Sequence, residues 1–412
     1  MNIGIDIRIL AKGNRTGVEN YTVNLLEHLL ARDKSVKYSL FCNGFKKPEL
    51  NYSWLKLPNV KIKTLRIPNR ILDLFLRFFK IPKIDRLIGG ADVFLSPHFL
   101  LSPVSKGVKN LVVFHDLSFV RFPEFFSYPK LLWHKFIYPK NRAKKADLII
   151  AVSQSTKNDL VNLYGIDKEK IKVIYPAAGK EFRPVKRTDP EIMRVKTKYN
   201  LPDRFILYFG TIEPRKNILG LVEAFERIKK NKNRGLIDVR WSGFEGTVGV
   251  VKKEAYNYKD LKLVIAGNKG WLYREIFERI YNSSFKQDII LTGFIQGEDR
   301  PYLYNLSEIF VYPSFFEGFG FPPLEAMACG VPVAVSNNSS LVEVAGDAVA
   351  TFNAQNVSEI VFVMEQILEN ADLRKTLILK GLERANAFNW DKTAQEFLEI
   401  FKDYGKSEKN RH

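Results

Sequence analysis

The sequence predicts an α/β protein built from two doubly wound, Rossmann-like domains that face each other across a cleft. A chain of 412 residues is too long for one ordinary core and suits two domains of similar size. Short apolar runs of strand length alternate with helical patterns throughout, as in parallel sheets covered by helices. This alternation lapses over residues 182–202, where charges alternate with Pro184, Pro190 and Pro202, as expected of a linker.

The first half contains six apolar runs with the length of buried strands. They are Asn2–Ile7, Tyr38–Cys42, Val93–Leu95, Leu111–Phe114, Leu148–Val152 and Lys172–Tyr175. Between the first two runs, Val18–Ala31 has helical periodicity, with Tyr21, Leu25 and Leu29 on one face. We therefore predict a first domain over residues 1–186.

The second half repeats the pattern and predicts a second domain over residues 187–388. Its strands are Ile206–Phe209, Leu261–Ala266, Asp288–Leu291, Ile309–Tyr312 and Val331–Val335, with helices starting near Asn217, Glu298, Pro322, Ser339 and Asn356. Residues 389–412 form a third segment, in which Trp390–Tyr404 is amphipathic. The sequence leaves open whether this C-terminal helix packs against the first domain.

Composition narrows the choice of partners and compartment. The net charge of +19 attracts nucleic acid, anionic lipid or phosphorylated ligands. Because the basic residues are spread out, without an arginine-rich tail or zinc-finger spacing, we expect a membrane surface or anionic ligand and no nucleic acid. Cys42 and Cys329 are interpreted as reduced, buried thiols. No apolar run reaches the roughly 18 residues of a spanning helix, so we expect a cytoplasmic protein.

The most informative stretch is Tyr312–Gly330, YPSFFEGFGFPPLEAMACG. A loop containing Gly318 and Gly320 follows a strand and leads into a helix opened by two prolines, which suits an anion such as a diphosphate. Glu317 in the loop and Glu325 in the helix are eight positions apart. Carboxylates there can accept hydrogen bonds from vicinal hydroxyls of a sugar or a ribose. Taken alone, Glu317 fits better as a solvated loop residue, and Glu325 as a carboxylate that stabilises the helix dipole without a ligand.

Two further strand ends carry polar side chains. Arg215 and Lys216 follow one strand and precede a helix, where two cations and helix amides can hold a diphosphate and offset its charge as it leaves. His115 and Asp116 follow the strand Leu111–Phe114, and His115 can donate to a sugar hydroxyl or be a structural histidine. No Asp-x-Asp pair and no His or Cys cluster is present, so we predict no metal ligands and no cofactor.

Together these stretches resemble the retaining glycosyltransferases of family 4, which have the two-domain GT-B fold. The resemblance extends from the first strand to Trp390. It rests mainly on GTIEPRKN (Gly210–Asn217), LTGFI (Leu291–Ile295) and YPSFFEGFGFPPLEAMACGVPV (Tyr312–Val333). Three further stretches add to the resemblance: FHDLSF, AVSQSTK and SSLVEVAGDAV. The pair Glu317 and Glu325 fits the family's E-x7-E motif.

The resemblance implies a role for each site residue. Glu317, His115 and the amides of Phe319 and Gly320 would contact the donor sugar. Glu325 would accept from the ribose, Phe294 and Ile295 would line the base pocket, and Arg215, Lys216 and the amide of Gly17 would hold the diphosphate. It also implies metal-independent transfer with retention, in which the leaving diphosphate takes the acceptor proton.

Within this family, EPRKN and SPHFLL (Ser96–Leu101) are most like mannosyltransferases that use GDP-mannose. A UDP-sugar donor and a nucleotide-sugar epimerase remain alternatives, and a non-catalytic glycan or nucleic-acid binder is a further one. The acceptor is expected to be a saccharide. Our hypothesis is that this saccharide is lipid-linked, as in polysaccharide or lipopolysaccharide assembly.

Two basic, aromatic-rich segments lie in the first domain, which is the acceptor side in this fold. Residues 65–87 read as a basic amphipathic helix, and residues 119–145 add aromatic side chains and cations. Such segments can lie at the inner face of the cell membrane, against anionic lipid. The alternative is that their aromatic rings form core. Residues 231–260 depart from the family as an insertion to which we assign no role.

Overall fold

A computed structural model describes residues 1–12, 17–46, 48–230 and 256–406. These residues form two compact units. The N-terminal unit comprises residues 1–179, 317–321 and those from 387 onward, and the C-terminal unit comprises residues 180–316 and 322–386. Most of the predicted insertion, and residues 13–16 directly ahead of Gly17, lie outside the described residues.

The N-terminal unit contains a seven-stranded parallel sheet in its described part, with strand order β3-β2-β1-β4-β5-β6-β7. The strands are β1 Asn2–Asp6, β2 Lys37–Asn43, β3 Val60–Leu65, β4 Val93–Ser96, β5 Lys109–Phe114, β6 Leu148–Ala151 and β7 Ile171–Val173. The central strands are almost wholly buried because helices cover both faces of a parallel sheet.

Helices connect these strands as crossovers. They are α1 Gly17–Leu30, α2 Asn69–Leu74, α3 Ile84–Leu87, α4 Ser118–Arg121, α5 Tyr128–Ile137, α6 Pro139–Lys145 and α7 Gln154–Tyr164. Parallel neighbours require such connections, and they bring the carboxyl ends of all strands to one edge of the sheet. That edge carries His115, directly after β5.

The described part of the C-terminal unit contains a six-stranded parallel sheet with order β10-β9-β8-β11-β12-β13. Its strands are β8 Phe205–Phe209, β9 Lys262–Ala266, β10 Ile289–Gly293, β11 Ile309–Tyr312, β12 Val333–Ser336 and β13 Ala350–Phe352. Its helices are α8 Pro190–Lys198, α9 Ile218–Lys230, α10 Arg274–Tyr281, α11 Arg300–Leu306, α12 Phe321–Ala328, α13 Ser339–Ala345, α14 Val357–Glu369 and α15 Ala371–Asn386. The prediction of two Rossmann-like domains is confirmed.

The C-terminal helix α16, Trp390–Lys406, belongs to the N-terminal unit. Its Asp391 and Gln395 side chains contact Arg32, two residues after α1, and Thr393 Oγ1 donates to the Tyr175 carbonyl at 2.6 Å. The packing that the sequence left open is therefore present, and the apolar face of α16 is buried by it.

Two sequence expectations differ from the structure. The stretch interpreted as a linker contains α8, whose Asp189 side chain caps the helix by accepting from the Glu191 amide. The units divide after Gly179, seven residues before the expected boundary. The segment 65–87 is not one amphipathic helix: α2 continues as a π-helical turn through Phe79, Lys80 is left-handed, and a separate α3 follows.

Candidate active site

Arg215 and Lys216 are buried at the carboxyl edge of the C-terminal sheet, 9% and 7% exposed. They follow β8, which lies between β9 and β11 in the sheet. The loop after β11 packs directly on them, because the Phe315 amide donates to the Arg215 carbonyl at 2.9 Å. The sequence predicted cations at this strand end, and the structure shows that main-chain contacts hold them there.

Each cation has a defined neighbour. The Arg215 guanidinium donates to Glu213 Oε1 at 2.9 Å and to the Phe316 carbonyl, so its orientation is fixed. Lys216 Nζ donates to the Tyr312 hydroxyl at 2.8 Å and lies 5.2 Å from the centre of that ring. Buried cations fixed in this way are preorganised for an anion, since few rotamers have to be restricted on binding.

Glu325 is buried in α12 and is engaged by two residues of α11. Its Oε2 accepts from Arg300 Nη2 and from the Tyr304 hydroxyl, the latter at 2.8 Å. Burial of the Arg300 guanidinium opposes its charged form, but Glu325 outweighs this and raises the pKa of Arg300. Glu325 Oε1 has no partner among the described residues, so one carboxylate oxygen is available for the expected ribose hydroxyl.

Arg300 is the main residue of this edge that the sequence analysis missed. Its guanidinium lies 4.8 Å from the ring centre of Phe209, the last residue of β8, and 5.2 Å from that of Phe182. The guanidinium therefore lies close to the carboxyl end of β8. The stretch GEDRPYL could have indicated this residue, because it places Arg300 at the start of a helix shortly after a predicted strand.

The two residues expected in the base pocket also follow a strand of the C-terminal sheet. Phe294 is half exposed, and Ile295 is buried, directly after β10. Gly293 before them has φ of +71°, a left-handed conformation that turns the chain at the strand end. The C-terminal unit thus brings the predicted cations, Glu325 and the two residues expected in the base pocket to one sheet edge.

In the N-terminal unit, His115 is partly exposed, and its ring is held by the main chain. Its Nε2 lies 2.8 Å from the Pro97 carbonyl oxygen, which can only accept, so this nitrogen carries the hydrogen. Burial lowers the pKa of His115, although the Pro97 carbonyl and Asp116 act in the opposite direction. The neutral ring therefore presents Nδ1 as a hydrogen-bond acceptor, and a contact between His115 and a sugar hydroxyl stays a prediction.

Asp116 fixes a turn directly after β5. Its Oδ1 accepts from the Ser118 amide at 2.9 Å and from the Ser118 hydroxyl at 2.6 Å. These bonds start α4 directly after the strand end and therefore define the chain path on which His115 lies.

The glycine loop that the sequence singled out lies beside His115. A Cβ on Gly318 would be 1.8 Å from the His115 carbonyl oxygen. Thr156 Oγ1 lies within hydrogen-bond distance of the main-chain carbonyls of His115 and Gly318. Glu317 is buried next to this contact, and Gly320 has φ of +95°. The structure thus brings Glu317 and His115 together.

Phe319 and Gly17 complete the predicted set. Phe319 is buried, with its ring 5.1 Å from that of Phe321 and 5.8 Å from that of Phe388. Gly17 opens α1, is exposed, and has nothing within 4 Å of a Cβ placed on it. Its amide therefore lies at a helix N-terminus, where an anion is favoured.

Around His115 the sequence missed a group of aromatic side chains with buried polar atoms. The Tyr21 ring is 4.8 Å and the His98 ring 5.8 Å from that of His115. The Tyr21 hydroxyl, His98 Nδ1 and Trp390 Nε1 are buried without a hydrogen-bond partner in the described part of the chain. Desolvation lowers the pKa of His98 well below its usual value. The stretch SPHF at the end of β4 could have indicated His98, because it places a histidine just after a predicted strand.

The basic, aromatic-rich segments form an exposed apolar surface, defined here by residues 71–81 and 128–138. Its exposed side chains are Ile71, Leu74, Phe75, Phe78, Phe79, Ile81, Tyr128, Leu132, Trp133 and Tyr138. The segments contact each other, with the rings of Phe78 and Phe136 6.3 Å apart and Arg77 over the Tyr138 ring. The alternative that these rings form core does not hold for the exposed ones. No helix in the described ranges combines the length and apolar character needed to cross a bilayer.

Parallel sheets whose carboxyl edges carry buried cations, carboxylates and a glycine loop define a class of two-domain α/β enzymes that bind anionic ligands at strand ends. Residues 15–178 match the family model Glycosyltransferase Family 4, and residues 189–384 match Glycosyl transferases group 1. The chain therefore belongs to the family 4, group 1 glycosyltransferases, as the sequence resemblance predicted.

Two curated relatives agree with this assignment, and one solved structure agrees with the fold. The chain is 29% identical to O-antigen chain mannosyltransferase B of Escherichia coli over 77% of its own length and 74% of that protein. It is 34% identical to the serotype-specific mannosyltransferase WbdA of Escherichia coli over 63% of its length, but spans only 29% of that protein. The fold matches sucrose-phosphate synthase from Thermosynechococcus elongatus with a TM-score of 0.75, at 20% identity, covering 98% of this chain and 99% of that one.

Proposed function

We propose that this chain transfers mannose from GDP-mannose to a saccharide acceptor carried on a lipid, during polysaccharide or lipopolysaccharide assembly. Two of its relatives are named as O-antigen and serotype-specific mannosyltransferases, which supports mannose as the sugar. The single observation that carries the proposal is the pair of buried cations, Arg215 and Lys216, fixed at the carboxyl edge of β8. A diphosphate is the ligand that such a pair suits.

We propose transfer with retention and without a metal ion. The acceptor hydroxyl attacks the anomeric carbon on the face that the diphosphate leaves. The bond from that carbon to the phosphate oxygen breaks, the bond to the acceptor oxygen forms, and the acceptor proton passes to the departing phosphate oxygen. Arg215 and Lys216 offset the negative charge that develops on the diphosphate, a role that otherwise requires a divalent cation.

The other site residues bind and orient the donor. Glu325 Oε1 accepts from a ribose hydroxyl while Oε2 stays with Arg300. Glu317 accepts from donor-sugar hydroxyls, and the neutral His115 accepts at Nδ1. Neither Glu317 nor His115 needs to act as a nucleophile in this scheme.

The exposed apolar surface supports work at an anionic membrane face. Phe78 and Phe79 are 67% and 66% exposed, and Arg77 and Lys80 flank them. Aromatic side chains next to cations are the composition that favours the interface of an anionic bilayer. A lipid-linked acceptor would then lie at the surface to which the enzyme binds.

Calorimetric titration with GDP-mannose and with UDP-glucose, both in EDTA, tests the donor site. We expect binding of GDP-mannose alone, weakened about 10- to 100-fold in Lys216→Met, since a charged hydrogen bond contributes about 1.5–3 kcal/mol. Lys196→Met is the matched control. It removes one cation from the same unit, where Lys196 pairs with Asp203 ahead of β8. Equal binding by wild type and Lys216→Met would contradict the diphosphate role, and binding of UDP-glucose alone would contradict the donor.

The product tests the mechanism. With a mannosyl acceptor and EDTA present, the new glycosidic bond should have the anomeric configuration of the donor, measured by proton NMR. An inverted product would contradict retention, and turnover that appears only after a divalent cation is restored would contradict metal independence.

A further inference from the structure

A cationic pocket lies in the N-terminal unit, away from the predicted active-site residues. It has a volume of about 320 Å³ and is lined by Lys80, Lys83, Lys106, Lys109, Arg142 and Lys145, together with the loop 102–108. We call it the basic pocket. It is at the amino-terminal edge of the sheet, because Lys109 begins β5 and Lys145 precedes β6. His115 follows the other end of β5, about 20 Å away at 3.3 Å per residue.

The charge of the basic pocket is poorly balanced. Asp147 is the acidic residue in its lining, and it already accepts from the Asn110 amide at 2.9 Å and lies 4.0 Å from Lys109. Among the described residues, no carboxylate forms an ion pair with Lys80, Lys83 or Lys106. Like charges gathered around a concave surface raise the local concentration of anions.

The wall of the basic pocket contains buried polar atoms without a partner. Arg142 is 8% exposed, and its Nε has no hydrogen-bond partner in the described part of the chain. Burial and the neighbouring Arg8 lower the pKa of Arg142 to about 10, with Asp6 acting against them. Asn110 Oδ1 is buried and lacks a donor as well. Such groups cost free energy unless a ligand or water satisfies them.

The rim of the basic pocket is fixed by the main chain. The Ile84 amide donates to the Pro103 carbonyl at 2.9 Å, and the Ser105 amide donates to Asp85 Oδ1 at 2.7 Å. These bonds tie the loop to α3 and fix the main chain from which the lysines extend. The pocket also borders the exposed apolar surface, because Lys80 directly follows Phe79.

We propose that the basic pocket binds the phosphate group of a ligand that also bears a free hydroxyl, such as a glycerophosphate. The lysines and Arg142 take the phosphate oxygens, and Asn110 Oδ1 accepts from the hydroxyl. The source is either the headgroup of an anionic phospholipid or a soluble phosphate ester. This site is separate from the donor site and does not depend on the transfer reaction.

The test compares the full chain with Lys83→Glu/Lys106→Glu, and with the control Lys34→Glu/Lys392→Glu. Both variants change the net charge by the same amount, and the control lysines are exposed and do not line the pocket. Binding is measured to vesicles of phosphatidylglycerol or phosphatidylcholine by co-sedimentation, and to glycerol 3-phosphate by calorimetry. GDP-mannose binding is measured in parallel and should be unchanged in both variants, which separates this site from the proposed donor site.

We expect the pocket variant to lose at least about tenfold in affinity and the control to stay within about twofold. Loss for phosphatidylglycerol vesicles identifies the lipid headgroup as the source, and loss for glycerol 3-phosphate alone identifies a soluble ester. Equal losses in both variants would mean general attraction by the basic surface and would overturn the proposal. Absence of binding to both probes by wild type would overturn it too.

Discussion

Gly318 and His115 are in direct main-chain contact: a Cβ on Gly318 would lie 1.8 Å from the His115 carbonyl oxygen. No side chain fits there unless the main chain moves. Gly318 adjoins Glu317, so the contact sets the distance between two residues that we assign to the donor sugar. The glycine is needed here for close approach, since its φ is not left-handed.

Gly318→Ala should therefore lower both activity and stability. Displacing the loop by the needed ångström would cost about 1–3 kcal/mol in unfolding free energy and about a hundredfold in kcat/KM. Release of GDP from GDP-mannose in the presence of acceptor measures the activity. Gly17→Ala is the control, because nothing lies within 4 Å of its Cβ and its amide is retained. Activity in Gly318→Ala equal to that in Gly17→Ala would rule out the positioning role.

Glu325→Gln should reduce both stability and ribose recognition. It leaves the Arg300 guanidinium buried without its carboxylate, at a cost of up to about 3 kcal/mol in unfolding free energy. It should also weaken GDP binding about tenfold while leaving 2′,3′-dideoxy-GDP binding unchanged. Tyr304→Phe is the comparison, since it removes one hydrogen bond to Glu325 and keeps the ion pair. If Glu325→Gln weakened both nucleotides equally, Glu325 would not contact the ribose.

His134 should make folding stability fall below pH 6.5. Burial lowers its pKa to about 4, with the Lys130 carbonyl and Asp116 acting against this, and its ring stacks on Phe119 at 4.0 Å. As the pH falls from 6.5 towards 4, the unfolded chain binds a proton that the folded chain does not, so stability is lost over that window. His134→Gln should remove about 2 kcal/mol of this loss. Urea unfolding at pH 7.5 and 4.5 measures it, and equal losses in both proteins would contradict the assignment.

Phe78→Ser/Phe79→Ser should weaken binding to phosphatidylglycerol vesicles with little change in thermal stability. Both rings are about two-thirds exposed, so the fold loses few contacts while an inserted surface would lose about 2 kcal/mol, or roughly 30-fold in affinity. Tyr281→Ser removes a ring of similar exposure from the C-terminal unit and serves as the control. Unchanged vesicle binding in the double variant would mean that this surface does not enter the membrane.

Much of the fold was predictable because central parallel strands are buried on both faces and read as continuous apolar runs. The two strands that the sequence analysis missed, β3 and β13, are both at sheet edges. The exposed side chains of β3 include Lys61 and Lys63, which discourage pairing with another strand at the sheet edge. They also interrupt the apolar run by which the other strands were predicted. Helix α8 was missed because the prolines in and around it resembled a linker, whereas Pro190 is in the first helical turn.

The sequence by itself determined the sheet edges that carry Arg215, Lys216, Glu325 and His115, because strand ends and glycine loops are local patterns. Tertiary structure alone decided which atoms of these residues are available. Arg300 occupies one oxygen of Glu325, and Pro97 occupies Nε2 of His115, through contacts 25 and 18 positions apart in the chain. The basic pocket has the same origin, since it gathers cations from residues 80 to 145. Hydrogen bonds and burial between distant segments form only when the chain is packed, so no local pattern encodes them.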